Sequence, residues 1–409
     1  MIHALAGAVV AAALQTAPAA DSAAPTPPPP PAVTAATPLV GAAVLLPFGA
    51  AHDPPGASGM AWVYGRLLEE ELREALAGSA ATTRVRVGRF DTEVTLLAPP
   101  GTAAADLDRF QTVVDARRVD GAALERVQAD LVRQLRFEEG APVRTFEEER
   151  AALIFDGRWG ASLQGRRAEL ETLGAADVER WRSTPRDEAA VWAVVAPPGS
   201  PLARPQRPDS GQTAAGAPRT RAWSEGRHER LDRPITNAWV TVDAPVRADL
   251  DPTVLDLYVR HLEEVLSPTP PDPGLYSADV ELLHAPEGPV LSITAAVTPE
   301  AAERWARRLE AAVLLEDLES WRDERQFAWL RRRFRNAWLA REASPDRAAA
   351  RVARDLRAGR SPRVPLEATQ ALDAGDLDVL TDAIGPTRVL IYGPVLDPPA
   401  DPPEAPPRS

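Results

Sequence analysis

Five histidines, no cysteine and a dense set of carboxylates bound the chemistry open to this 409-residue chain. A zinc site needs imidazole, thiolate or carboxylate donors converging on one point, and on a helix that means spacing of i, i+3 or i, i+4. His3, His52, His228, His261 and His284 contain no such pair. His3 lies in an apolar leader, His52 in a turn beside Asp53, and the other three are scattered through the second half. Each reads as an ordinary surface or half-buried histidine. Glu69, Glu70, Glu71 and Glu74 are close enough to attract a hard cation, but on a helix they read as a solvated face. Without cysteine there is no thiolate metal site, disulfide or cysteine nucleophile. No Gly-rich phosphate loop, Ser-His-Asp arrangement or paired glycosidase carboxylates rise above background.

One other stretch, "WLRRRFRNAWLAR" at residues 329–341, interleaves aromatics and arginines as a nucleic-acid surface would. At helical spacing Phe327, Leu330, Phe334, Trp338 and Arg341 instead form a packing stripe, with the remaining arginines on the wet side. A net charge of -13 also argues against general affinity for nucleic acid or anionic lipid, both of which need clustered cations.

These residues must be positioned by a folded body. With 44% hydrophobic content, a chain of this length buries a core in each of roughly two or three domains. Residues 1–19 carry an apolar run ahead of Ala17-Pro18-Ala19, the small-x-small form of a signal-peptidase site, so export to a bacterial periplasm is expected. The run is too short to span a bilayer and no other segment reaches that length, so no membrane span is expected. Residues 20–37 form a Pro-rich tether, 198–222 a Pro-, Gly- and Ser-rich linker, and 397–409 a Pro-rich tail. Two bodies of comparable size remain, 38–197 and 223–396.

The two bodies repeat one order of elements. In the first, a strand at 93–97 leads to a helix ending at 116, a second helix at 122–137, Pro142, and a third at 145–155. In the second, a strand at 290–297 leads to a helix ending at 314, a long helix at 318–341, Pro345, and a helix at 346–356. Each then closes with a short helix carrying Asp177 or Asp376 near its start, followed by an apolar strand at 190–196 or 388–392. Further strands are expected at 39–47, 84–90, 223–231, 238–244 and 278–284. The repeat length of about 200 residues describes a duplicated domain and not a solenoid. Helix runs between isolated strands predict an α+β class: two homologous α/β-roll domains, each a mostly antiparallel sheet with helices packed on one face.

The segment "PFGAAHDPPGASGMAWVYGRLL" (47–68), with "IFDGRWG" (154–160) and "LQGRRAELETLGAADVERW" (163–181), resembles the pitrilysin/insulinase family of zinc metallopeptidases, which includes the mitochondrial processing peptidase subunits. In active members of that family the helix after the glycine bears H-x-x-E-H, two imidazoles for zinc and a glutamate that takes a proton from its water. Aligned from Gly59, those positions hold Trp62, Gly65 and Arg66, and the third ligand position falls on Val127, with Glu125 two residues away. Indole offers zinc no lone pair, glycine has no base, and guanidinium stays protonated. The family's R-x-x-x-G-L-x-Y pattern survives only as Gly274-Leu275-Tyr276, with Pro270 in place of the arginine, leaving Tyr276 as the candidate peptide contact.

The resemblance implies a degenerate homologue with no catalytic residues, no metal and no cofactor. Its expected role is to pair with an active pitrilysin-like subunit and help form a peptide-binding chamber from two clamshell halves. Trp62 and Arg66 would then seal the former metal cavity, with Arg66 paired to a carboxylate such as Glu125. A stand-alone periplasmic peptide-binding or scaffold protein is the alternative reading. An active zinc metalloendopeptidase with unrecognised ligands is a further one.

Overall fold

The computed structural model describes residues 34–395 apart from 36, 117–118, 139, 156–159, 161, 185–188, 204–225, 268–271, 286–287, 317–322, 359, 361 and 363–371. The expected leader and tail, most of the tether and linker, Pro270, and the middle of "IFDGRWG" lie outside the described residues.

The first half runs β1 (Val40–Leu46), α1 (Met60–Ala75), β2 (Thr82–Val87), β3 (Thr92–Ala98), α2 (Ala103–Asp115), α3 (Gly121–Glu138), α4 (Pro142–Ile154), α5 (Arg167–Leu170), α6 (Ala175–Ser183) and β4 (Val191–Val195). The second runs β5 (Arg227–Asp232), β6 (Ala238–Pro245), α7 (Pro252–Val265), β7 (Leu275–Ala285), β8 (Gly288–Val297), α8 (Ala302–Val313), α9 (Glu324–Glu342), α10 (Pro345–Arg357), α11 (Asp378–Ala383) and β9 (Arg388–Gly393). The first sheet has the order β2-β3-β1-β4 and is antiparallel throughout. The second has the order β5-β9-β6-β8-β7. Each strand of the first sheet thus has a counterpart at the same place in the second. The addition is β5, which lies parallel to β9; among the described residues that place in the first half holds the isolated parallel bridge of Thr34 to Ala196.

Local chemistry accounts for the element ends. Prolines 142, 252 and 345 start α4, α7 and α10, where a missing N–H costs no hydrogen bond. β2 stops at Val87, short of the expected 84–90, because the Gly88 N–H donates to the Asp91 carbonyl at 2.7 Å and turns the chain into β3. The sequence pattern missed α7, although Asp251 caps it by accepting from the Thr253 N–H at 2.7 Å and its apolar residues follow a helical period. Asp376 completes a capping box with Asp373, each side chain accepting from the other's backbone N–H, at 2.8 and 3.2 Å, while Asp177 accepts from the Gly174 N–H at 3.1 Å, the half of that pattern a glycine N-cap allows.

Helices α1, α2 and α3 cover one face of the first sheet, where Val40, Ala42, Val44 and Leu46 of β1 join Leu67, Leu68 and Phe110. α7, α8 and α9 cover one face of the second, and the aromatic stripe Phe327, Leu330, Phe334 and Trp338 is buried there. The opposite faces are not left to solvent. α10, from the second half, packs Ala349, Val352 and Ala353 against Ala43 and Leu45 of β1 and Val195 of β4. Reciprocally, α4 of the first half sets Phe146 and Leu153 against Leu390 and Tyr392 of β9. β1 in the first sheet and β9 in the second are therefore covered on both sides by an exchange of helices.

Ionic contacts pin both exchanged helices. Arg354 and Arg357 of α10 reach Glu93 at 2.7 Å and Asp91 at 3.1 Å. Arg150 of α4 donates to Ser292 Oγ at 2.6 Å and lies 3.6 Å from Asp243, a fully buried carboxylate that also accepts from Ser292 and Thr241. Burial pushes the pKa of Asp243 up, and Arg150 with the two hydroxyls works against that shift. Because removing one partner of a buried pair strands the other charge, Arg150→Met is expected to cost about 3–5 kcal/mol in urea unfolding. Adding Asp243→Leu should recover most of it, and a double variant no more stable than the single one would refute this coupling.

Candidate functional site

The start of α1 is built by the turn that precedes it. Asp53, almost fully buried, accepts from the Gly59 N–H at 2.6 Å and the Ala61 N–H at 2.9 Å, so its carboxyl caps the helix. Burial raises its pKa to about 7, opposed by these backbone donors. Gly59 sits at φ +91°, a conformation that disfavours any side chain. The 163–181 segment supports the same turn from behind. Glu169 accepts from the Ser58 N–H at 2.7 Å, which lowers its pKa, and Trp181 donates to the His52 carbonyl at 3.1 Å. The Trp181 ring meets Phe48 and, on α1 itself, Tyr64 edge to face at 4.8 and 5.9 Å.

The four degenerate positions offer no common set of donors. Trp62 is half-buried against the first core, and its Nε1, shut off from solvent, meets no hydrogen-bond partner among the described residues. Gly65 is buried under β2, where a Cβ built on it would meet Val87 Cγ2 at 2.3 Å. Arg66 points away: its side chain is 51% exposed and pairs with Glu69 at 2.6 Å on the same helix. The expected pairing with Glu125 is therefore not made, and Arg66 seals nothing, because its position on α1 faces solvent. Glu125 is itself exposed on α3, while Val127 is buried in the core beside α1.

Zinc does not fit this set. Indole, glycine, guanidinium and isopropyl groups supply no donor, and the room a glutamate would need at residue 65 is filled by Val87. Among the described residues no three His, Asp or Glu side chains come together as a metal site. Glu70 binds Arg126 at 2.8 Å and Glu69 binds Arg66, as expected of a solvated acidic face. Burial holds His261 of α7 down to about 3, so its imidazole is neutral, and the exposed His228 pairs with Glu310 at 3.1 Å.

A cavity of about 830 Å³ lined by both halves reaches α1 at Trp62. Its walls are Trp62, the β2 edge at Arg86 and Val87, the turn at 88–91, the exchanged helix α4, and the β7 edge at Val280 to Leu283. Both β2 and β7 are terminal strands of their sheets, and Arg86 lies 3.6 Å from Glu281 across the gap. Tyr276 belongs to β7 but sits at its bulge, 64% exposed, apart from the cavity lining. Motif matching found Trp62 and missed the cavity's charged wall, because Arg89, Arg144 and Arg150 carry no spacing that marks a site.

No protein-family model and no curated relative matches the sequence. Solved structures do. The peptidase M16 inactive domain from Pseudomonas fluorescens superposes with a TM-score of 0.71 at 12% identity, over 89% of this chain and 96% of that one. A protease from Helicobacter pylori gives 0.70 at 12% identity, over 88% and 96%. The periplasmic protease PqqL from Escherichia coli gives 0.67 at 12% identity, covering 88% of this chain but 44% of its own. The chain thus has the two-domain fold of the pitrilysin-like, or M16, peptidases.

Restoring the motif letters should not restore the site. The combined variant Trp62→His, Gly65→Glu, Arg66→His is expected to bind zinc no more tightly than the native chain in calorimetric titration. It should also lose about 1–3 kcal/mol of stability from crowding against Val87. Stoichiometric, tight uptake by that variant without changes at Val87 and Val127 would refute the packing argument.

Proposed function

We propose that this chain is a non-catalytic homologue of the pitrilysin/insulinase peptidases that pairs with an active zinc-peptidase subunit and supplies wall and peptide-binding surface to their shared chamber. The reading rests on one observation above the others: Val87 packs into the space over Gly65 within an otherwise complete fold. Loss of function by decay would erode packing generally, whereas here the site alone is closed and the core around it is filled. The M16 inactive domain, matched over nearly its whole length, supports a scaffold of this kind existing without catalysis. Neither zinc nor another cofactor is part of the proposal. The leader-like residues 1–19 support export to the periplasm.

A second reading, a stand-alone peptide-binding protein, is favoured by the position of the cavity. It lies wholly within this chain, between two sheet edges that could each accept an extended segment. Affinity capture from native periplasm separates the two. The pairing reading expects a stoichiometric partner carrying an intact H-x-x-E-H helix, whose peptidase activity falls when this chain is removed. A monomer that retains peptides and captures no such subunit would contradict pairing and leave the second reading in place.

A further inference from the structure

α9 has two faces of opposite character. Phe327, Leu330, Phe334 and Trp338 bury one of them in the second core. The other carries Arg325, Trp329, Arg332, Asn336 and Leu339, all exposed. Their steps of four, three, four and three residues trace a straight stripe about 21 Å long, in the spacing by which one helix packs along another. Trp329 and Leu339 leave large apolar groups in water, at 44% and 46% exposure. Between Glu324 and Glu342 the helix holds six arginines and no carboxylate, in a chain of net charge -13. The side chains of Arg325, Arg332 and Arg335 make no ion pair or hydrogen bond among the described residues. Arg333, in contrast, is fixed, 2.9 Å from Glu264 of α7 and 5.0 Å over the Trp329 ring. No residue of this stripe lines the cavity, so the face is a second surface.

We propose that the outward face of α9 docks an acidic amphipathic helix of a protein partner, whose carboxylates meet Arg325 and Arg332 on either side of an apolar residue packed on Trp329. Charge complementarity sets the chemistry, because unpaired guanidinium groups bind carboxylates in a planar, bidentate geometry. The heptad-like spacing sets the shape, and the mixture of tryptophan and arginine is that of residues which dominate binding energy at protein interfaces. A lipid surface suits the face less well. Anionic bilayers are held by clusters of about four to eight cations, whereas Glu264 and Glu324 flank this smaller set. A nucleic acid fits no better, since Arg333 already lies over the Trp329 ring where a base would stack. The inference stands apart from the pairing and peptide-binding readings, because it uses no residue of the cavity.

The test uses the full chain and two labelled three-heptad helical peptides, each with leucine along its seam, flanked by Glu in one and by Gln in the other. Binding is read by fluorescence anisotropy, and vesicles of phosphatidylglycerol and phosphatidylcholine in equal parts are the third probe, read by co-sedimentation. The Glu peptide is expected to bind about tenfold more tightly than the Gln peptide, with no sedimentation on the vesicles. Arg325→Glu combined with Arg332→Glu should erase the preference, and Trp329→Ala should weaken both peptides. These positions are exposed, and an unchanged urea midpoint checks that each variant folds. Equal binding of the two peptides by the native chain, or binding of neither, would overturn the proposal. So would a preference that survives the double charge reversal. Sedimentation with the vesicles that the reversal abolishes would overturn it as well, by assigning the face to an anionic membrane.

Discussion

The reciprocal exchange of α4 and α10 is the constraint on which the rest of this molecule depends. Each helix leaves the half that encodes it and covers the bare face of the other sheet. This is why β1 and β9 are buried along their entire length, with neither face alternating toward water. Small residues on α10 and the Phe146 cluster on α4 solve the same packing problem with different volumes. The arginines at 150, 354 and 357 then hold each helix to a sheet it is not adjacent to in sequence. Since α4 also forms the cavity wall, the space beside α1 exists only because the halves interlock.

The residues at the metal-motif positions, Trp62, Gly65, Arg66 and Val127, depart from a zinc donor set only locally, on α1 and α3. The turn that aims α1 is intact, from the Asp53 cap to the Trp181 cluster, and it delivers the helix to the place where ligands would be needed. What arrives there is an indole, a glycine sealed by Val87, and an arginine turned to solvent.

Much of this was legible in the sequence, for identifiable reasons. The turn beside Asp53, the helical stripe at Phe327 to Trp338 and the repeated element order each depend on residues near one another in the chain, where spacing carries the information. The α+β class followed from the same patterns. The exchange was not legible, because amphipathic periodicity says that a helix has an apolar face and not which sheet will receive it. α10 in particular reads as an ordinary alanine-rich helix, and α4 likewise carries nothing to mark its partner. The direction of Arg66 was misjudged for a related reason: Glu69, one turn along α1, is a nearer partner than any residue on α3. Gly65 could be read as lacking a base, but the Val87 methyl that occupies its place comes from β2, beyond reach of any local pattern.

The central claim is that this chain cannot hold a catalytic divalent ion. Zinc titration of the native protein by calorimetry, followed by elemental analysis after dialysis, tests it directly. The account predicts less than one tenth of an ion retained per chain, about the level of adventitious binding, and no chelator-sensitive cleavage of a peptide library. One tightly held zinc per chain, accompanied by chelator-sensitive cleavage, would contradict it.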